Sequence, residues 1–314
     1  MTRAATTHLL LGPQSPVRNI GEALAQADLG DGPLAIISAG WQEAEGDVGD
    51  VATLVGRPLE DLGLYRRSEE LMQGVAGLAA ANRRRQDRLV EQQRLYRLRL
   101  KQLSIAARHT LAAEGDADMI AAEQRHAIAQ LRALDRHHLH RSESIWSEFR
   151  DAFDPASHTE LARHAAEIAA IIDRSAGVII TGGNVAVLIN RLRLFGMDRV
   201  LATCNIVAWS AGAMALADRV VLYHDRSPEG RRDPEVFGAG CGIVPGYVLL
   251  PDSEHRLRSS ERRRMSLLSR RFSPDACVTL DNGSVLRIVD GRVRAVAAVR
   301  HLRHDGRLTG LRAA

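Results

Sequence analysis

Ser210 is the residue in this sequence that is best placed to act as a nucleophile. It ends a short apolar run, residues 204–209, and the small residues 211–213 follow it at once. A buried strand, a sharp turn and a helix in this order form a nucleophile elbow, which holds a side-chain oxygen above the carboxyl edge of a sheet. Backbone N–H groups at such a turn can stabilise an oxyanion. A tight strand-to-helix turn without chemistry has the same pattern, so the serine is informative only together with its partners.

A second turn rich in small residues lies one strand earlier in the chain. The apolar run 177–181 ends in Gly182-Gly183-Asn184. Parallel strands end at the same edge of a sheet, and open α/β folds bind their ligands at that edge. Glycines at such a turn let backbone N–H groups approach a ligand closely. We therefore expect this turn to lie beside Ser210.

Short apolar strands alternate with helices on both sides of these turns. Strands are predicted at residues 8–11, 33–38, 62–65, 177–181 and 204–209, and helices at 20–27, 50–55, 160–173 and 185–194. This alternation implies an α/β fold with a mostly parallel sheet that helices cover on both faces. Residues 278–299 are predicted to be β-rich, with turns at 281–283 and 290–291. Trp41 follows the second strand, so we expect it at the edge of Ser210, where it lines the site or caps the fold.

Two long helices interrupt this pattern. Residues 67–109 contain no proline and place apolar side chains at the helical period, and a second helical stripe follows the turn at 114–118. We interpret residues 67–154 as an antiparallel helical hairpin. It is inserted into an α/β domain that residues 1–66 and 155–314 form.

The hairpin carries more apolar side chains than its own seam can bury. Leu95, Leu98, Ile128 and Trp146 lie off that seam. Exposed apolar area of this kind marks an interface, and a two-fold dimer is the commonest way to cover it. We therefore expect the hairpin to project from the α/β domain and to mediate a homo-oligomer. In the competing account the hairpin folds back onto its own domain.

Composition and charge limit the classes of protein to which the chain can belong and the partners that it can bind. The chain has 314 residues, is 45% hydrophobic and has a formal net charge of +4. No run approaches the ~20 apolar residues that a membrane span needs, and residues 1–8 lack a hydrophobic signal segment. Three cysteines without CxxC spacing fit buried thiols in a reducing compartment. We expect a cytoplasmic protein that does not bind a membrane.

Neither of two clusters of polar residues is predicted to form a functional site. Residues 82–101 carry eight basic and two acidic side chains, but the arginines spread around the helix as on a solvated face, which argues against nucleic acid as a partner. His137, His138 and His140 lack the i, i+4 spacing and carboxylate partner that metal ligands on one helix need, so no metal site is predicted there.

The order of three motifs resembles the peptidase E and cyanophycinase family of serine peptidases. These motifs are the strand and turn 179–184, the serine elbow 208–213 and the glycine-rich segment 240–246. The resemblance covers most of the chain apart from the hairpin. It implies a three-layer fold of the class I glutamine amidotransferase-like (flavodoxin-like) type, a peptide or peptide-like substrate and no cofactor. Ser210 matches the nucleophile, and N–H groups near Gly183 and at Ala211 match the oxyanion hole.

Two of the three triad positions depart from the family's pattern. The resemblance places the family's histidine at Asp252 and its acid at Asn282, which follows Asp281. Aspartate is a poor base for a serine at neutral pH because its pKa is near 4. Asparagine cannot stabilise an imidazolium by charge. Arg256 and Arg258 fall where the family often carries arginines, and of the two we expect Arg256 to contact the substrate.

Two histidines could replace the missing imidazole. If residues 252–255 form a helical turn, His255 shares a face with Asp252 and could reach Ser210. His224 is the second candidate. The sequence therefore leaves two functions open. A catalytically reduced or inactive family member that acts by binding and assembly is favoured. The alternative is an active serine hydrolase that cleaves a peptide or isopeptide bond with His255 or His224 as its base.

Overall fold

A computed structural model describes residues 5–27, 29–153, 158–223 and 233–313. Their strands are β1 (Thr7–Leu11), β2 (Leu34–Ile37), β3 (Leu59–Asp61), β4 (Val178–Ile180), β5 (Ile206–Trp209), β6 (Arg219–Leu222), β7 (Glu235–Ala239), β8 (Tyr247–Pro251), β9 (Ala276–Val289), β10 (Arg292–Leu302) and β11 (Leu308–Gly310).

The α-helices are α1 (Ile20–Ala25), α2 (Gly49–Val55), α3 (Leu64–Gly74), α4 (Leu78–Ala112), α5 (Ala117–Ala152), α6 (Thr159–Asp173), α7 (Val185–Leu194), α8 (Met197–Leu201), α9 (Ala211–Leu216), α10 (Ser253–Arg256) and α11 (Arg262–Phe272). A 3₁₀ segment, Ala39–Ala44, follows β2. No helix among the described ranges is both long enough and apolar enough to span a bilayer.

A mixed sheet of nine described strands forms the centre of the molecule. Its order is β11-β10-β9-β1-β5-β4-β2-β3, and β8 pairs with β9 beside this path. The five strands β1 to β5 run parallel, whereas β9 runs antiparallel to β1 and β10. The inner parallel strands β2, β4 and β5 are continuous apolar runs, as expected for strands that are buried on both faces, whereas the edge strand β3 carries Glu60 and Asp61. The predicted α/β fold with a mostly parallel sheet is confirmed, and the long helical insertion α4–α5 is present.

Alternation along the parallel strands creates two apolar layers. Leu9 and Val207 face one layer, where they pack with side chains of α1 and α2. Leu10 and Ala208 face the other, where they pack with side chains of α7, α9 and the long helices α4 and α5. The fold therefore has three layers, and the carboxyl ends of β1, β2, β4 and β5 meet at one edge.

Three local predictions are wrong. The third strand is Leu59–Asp61, while Leu64 begins α3, because Gly63 turns the chain with a φ of 60°. The first long helix is interrupted before α4 at Gly77, which has a φ of 79°. The predicted turn at 281–283 is an irregular part of β9 that does not reverse the chain. The turn at 290–291, between β9 and β10, is confirmed.

The helical hairpin packs onto the α/β body rather than projecting from it. Tyr96 of α4 and Leu131 of α5 are buried in the same core as the sheet. Ile128 and Trp146, which we expected to be exposed, are 7% and 3% exposed. The competing account is therefore correct for these residues. Ile128 lies in the same core as the sheet, and Trp146 packs with Leu71, Leu78 and Leu161 of α3, α4 and α6. The predicted boundary at 154–155 lies outside the described residues.

A buried ion pair joins the hairpin to the body. Arg271 of α11 donates two hydrogen bonds to Asp135 of α5, at 2.7 and 2.6 Å, and a third to Tyr96 Oη at 2.6 Å. Tyr96 in turn donates to Asp135 at 2.9 Å. Burial lowers the pKa of Arg271, but Tyr96 and Asp135 outweigh that effect and raise it above its usual value. The guanidinium thus stays charged inside the protein because its partners satisfy it.

Replacing Asp135 with alanine should therefore lower the free energy of unfolding by about 3–5 kcal/mol, because the Arg271 charge would stay buried without its carboxylate. Urea denaturation measures this loss. Glu91→Ala is the control, since Glu91 pairs with Arg94 at the surface, and an exposed pair contributes less than about 1 kcal/mol. Similar losses in the two variants would contradict the structural role given to the buried pair.

Self-association through the hairpin stays a prediction, and it now rests on α4 alone. Leu95 and Leu98 are 44% and 56% exposed. If they form a dimer interface, the double substitution Leu95→Glu with Leu98→Glu should convert the dimer to a monomer in sedimentation velocity. Met119→Glu, at the start of α5, is the matched control at an exposed apolar site. An intact chain that sediments as a monomer at micromolar concentration would contradict the assembly role.

Candidate functional site

Ser210 lies in a strained turn between β5 and α9. Its φ and ψ are 49° and −117°, a conformation that costs a residue with a Cβ about 1–3 kcal/mol. The Ser210 N–H donates to the carbonyl of Leu11 at 3.2 Å, which ties the turn to the end of β1. Among the described residues, no group forms a hydrogen bond with Ser210 Oγ. The serine is therefore held in an elbow at the carboxyl edge of the sheet.

Close packing explains the small residues around this elbow. A Cβ at Gly212 would lie 2.3 Å from the carbonyl oxygen of Ile180, so glycine lets α9 pack directly on the end of β4. A Cβ at Gly182 would lie 3.1 Å from the Ser210 Cβ. The turn after β4 thus passes directly beside the serine, as the sequence predicts.

The turn after β4 also packs against the segment after β2. Gly183 has a φ of 114°, and a Cβ on it would lie 2.4 Å from the carbonyl oxygen of Gly40. That carbonyl accepts a hydrogen bond from the Asn184 N–H at 2.8 Å. The Asn184 side chain caps α7 by accepting from the N–H groups of Ala186 and Val187. Its oxygen is therefore engaged within the protein.

These turns enclose a cleft of about 570 Å³ at the carboxyl edge. The sequence-predicted residues that line it are Trp41, Gly182, Gly183, Ser210, Ala211, Asp252 and Arg256. Side chains that the sequence reasoning missed also line it, namely Pro13, Gln14, Ser15, Val185, Trp209, Met214, Leu222, Tyr223 and Pro251. The segment 13–15 follows β1, so the rule that pointed to the other turns could have found it. Tyr223 gives no such signal.

Asp252 lies in the cleft with both carboxylate oxygens engaged. It follows β8 with a φ of 60° and a ψ of 35°. Its Oδ1 is 2.7 Å from Nδ1 of His255, and its Oδ2 accepts a hydrogen bond from Nε of Arg256 at 3.0 Å. Both partners belong to α10. The carboxylate therefore lies between an imidazole and a guanidinium.

The structure does not bring an imidazole to the serine within the ranges it describes. The predicted i, i+3 relation between Asp252 and His255 is present, but the His255 side chain is 77% exposed and does not line the cleft. His224 lies outside the described residues. The phenol of Tyr223, which does line the cleft, donates to the Pro251 carbonyl. Burial raises the pKa of Tyr223 well above its usual value, so it remains a donor.

Asp281 and Asn282 contact two different segments beside the cleft. Asp281 is buried and accepts hydrogen bonds from the hydroxyl of Ser253 and the N–H of Glu254, each at 2.9 Å. Asn282 donates to the carbonyl of Pro13 at 2.6 Å. Neither side chain lines the cleft, so Asn282 does not take the place of a triad acid beside an imidazole.

The geometry of the elbow predicts that Ser210→Gly stabilises the protein. Glycine relieves a strain of about 1–3 kcal/mol and adds about 0.5–1 kcal/mol of chain entropy to the unfolded state. We expect the free energy of unfolding to rise by about 1 kcal/mol in urea denaturation. Ser210→Ala is the matched control, because alanine keeps the Cβ and so should give no such rise. A loss of stability in the glycine variant would contradict the strained turn.

The sequence matches a known protein family. The model of peptidase family S51 matches residues 137–296, just over half of the chain, and this range includes Ser210, Asp252 and Asn282. A solved structure of a peptidase from an acI-B1 Actinobacterium is 13% identical, with a TM-score of 0.47 over 96% of this chain and 91% of that one. No curated protein matches the sequence. On the family match, this chain belongs to peptidase family S51.

Proposed function

We propose that the Ser210 cleft binds a small peptide-like molecule or a peptide end, and that the chain is a family member with little or no hydrolytic activity. The main support for this proposal comes from Asp252. It occupies the position at which the family resemblance places the histidine, and its two oxygens are engaged with His255 and Arg256. A general base works best with a pKa near the working pH. A carboxylate whose ordinary pKa is near 4 takes a serine proton poorly.

The groups of the cleft suit a ligand with an amide carbonyl, an apolar group and a carboxylate. The N–H groups of Gly183 and Ala211 have no acceptor among the described residues, so they can meet a carbonyl oxygen. Trp41 and Trp209 supply aromatic surface. The terminal nitrogens of Arg256 have no hydrogen-bond partner among the described residues, and a guanidinium binds a carboxylate through two parallel hydrogen bonds.

An active serine hydrolase is the second candidate, and the strained elbow favours it. Such strain is typical of functional turns, and the Ser210 hydroxyl is free of hydrogen bonds within the described ranges. In this account Ser210 attacks a peptide or isopeptide carbonyl and its proton passes to His255 or to His224. The leaving amine takes up that proton as the C–N bond breaks, and water then hydrolyses the acyl-serine, which releases the acid and restores Ser210.

Labelling with a fluorophosphonate separates the two functions. We expect the intact chain at pH 7 to label no faster than Ser210→Ala, because no effective base takes the serine proton. Asp252→His should raise the rate of Ser210 labelling at least ~10-fold. A positioned base contributes about 10²–10⁴-fold, and this variant still lacks the acid.

Adding Ser210→Ala to Asp252→His must abolish the gain, which shows that the label is on the serine. Rapid labelling of the intact chain that disappears in Ser210→Ala would instead establish the hydrolase. Measurements from pH 5 to 9 would then report the protonation state of its base.

Arg256 should recognise a ligand carboxylate. Tryptophan fluorescence can follow binding, because Trp41 and Trp209 line the cleft whereas Trp146 lies in the hairpin. We expect Arg256→Ala to weaken binding of an aromatic dipeptide about 10-fold and to leave its C-terminal amide nearly unaffected, since the amide has no charge to lose. Arg258→Ala is the control, because Arg258 pairs with Glu261 and does not line the cleft. Equal losses for acid and amide would contradict this role.

A further inference from the structure

The strand β9 changes partners directly beside the cleft. Its first half pairs with β8 as far as Leu280, and its second half pairs with β1 from Val285 onward. Gly283, with a φ of 82°, lies between these two halves. Residues 281–284 therefore pass between the segment that follows β8 and the segment that follows β1. Both segments line the Ser210 cleft.

Asn282 fixes the segment after β1. Its Nδ2 donates to the carbonyls of Pro13 and Val17 at 2.6 and 2.9 Å, and its Oδ1 accepts from the Val17 N–H at 3.1 Å. The amide thus closes the loop 13–17 with both of its donors and its acceptor. A carboxylate at this position would have no donor and would place negative charge against two carbonyl oxygens.

Asp281 fixes the segment after β8. Besides the bonds from Ser253 and Glu254, it accepts a hydrogen bond from Arg300 at 2.8 Å. Ser253 and Glu254 directly follow Asp252 and begin α10, the turn that also carries Arg256. Asp281 therefore fixes the wall that follows β8, and Asn282 fixes the wall that follows β1. Each residue does so through hydrogen bonds that match the donors or acceptors of its own side chain.

We propose that Asn282 is a positioning residue that sets the shape of the cleft by fixing the wall at residues 13–17. This inference rests on the proposed binding function of the same cleft. The family resemblance places an acid at position 282. Asn282 has a structural role there instead, which an acid cannot perform. Ligand affinity therefore depends on the amide of Asn282, although that amide does not line the cleft.

Asn282→Asp tests this role with almost no change in side-chain volume. We expect affinity for the aromatic dipeptide, followed by tryptophan fluorescence, to fall at least ~10-fold, because the wall is released. Asn205→Asp is the matched control. Asn205 also bonds backbone groups with its amide, accepting from the Thr7 N–H and donating to the Ala176 carbonyl. It precedes β5 and so lies at the opposite edge of the sheet, away from the cleft.

Both variants should lose some stability in urea, but only Asn282→Asp should lose affinity. Equal affinity in Asn282→Asp and the intact chain, or equal loss in the two variants, would overturn the proposal. A second measurement needs no ligand. Hydrogen exchange of a peptide spanning residues 13–20 should become faster in Asn282→Asp and stay unchanged in Asn205→Asp.

The two measurements separate failure of the proposed function from failure of this inference. If the intact chain binds no peptide probe, the binding function fails, and hydrogen exchange still decides whether Asn282 holds the loop. If the intact chain hydrolyses the probe instead, a positioning role predicts that Asn282→Asp raises KM more than it lowers kcat. Unchanged exchange in the 13–20 peptide would overturn the inference in every case.

Discussion

The site depends on the close approach of backbones at the carboxyl edge of the parallel sheet. At Gly183 and Gly212 a single Cβ would lie within 2.4 Å of a carbonyl oxygen on a neighbouring segment. The turns after β2, β4 and β5 can therefore meet only because these positions lack side chains. Their meeting brings Trp41, Gly182 and Ser210 to one cleft, although the first and last are far apart in the sequence. The chemistry of the cleft follows from this packing constraint.

The charges of the cleft are arranged around Asp252 rather than around an imidazole. Its carboxylate lies between His255 and Arg256, so its hydrogen-bonding capacity is directed toward α10. Such charge-assisted bonds are roughly twice as strong as neutral ones. They fix the turn that presents Arg256. The arrangement therefore gives the cleft an oriented cation.

The sequence predicts the parallel strands and their turns well, because continuous apolar runs and glycine turns are local signals. It does not predict the burial of Ile128 and Trp146. That burial depends on packing between distant segments, and the pair of Asp135 with Arg271 leaves no periodic trace in either helix. For His255 the spacing relative to Asp252 was correct. Its exposure could not be derived, because the direction of α10 is set by tertiary bonds to Asp281.

The role of position 282 could not be derived from the sequence for a related reason. Family resemblance aligns residue types along the chain, and it marks Asn282 only as a missing acid. Its actual partners, the backbone groups of Pro13 and Val17, carry no side-chain signal and lie about 265 residues away. Hydrogen bonds to backbone groups are the commonest kind that side chains make. An alignment of residue types cannot represent them.

The retained elbow does not by itself establish catalysis, because packing alone can maintain its strain. The Ser210 N–H is bonded to Leu11 at the end of β1, and Gly212 holds α9 against β4. With both neighbours fixed, the backbone at position 210 has no room to relax into an ordinary conformation, whatever the serine hydroxyl does. Strain persists where the surrounding structure over-determines it. The identity of the group that can take the Ser210 proton therefore distinguishes an enzyme from a binding protein. Asp252 lines the same cleft as Ser210, and both of its carboxylate oxygens are engaged with His255 and Arg256.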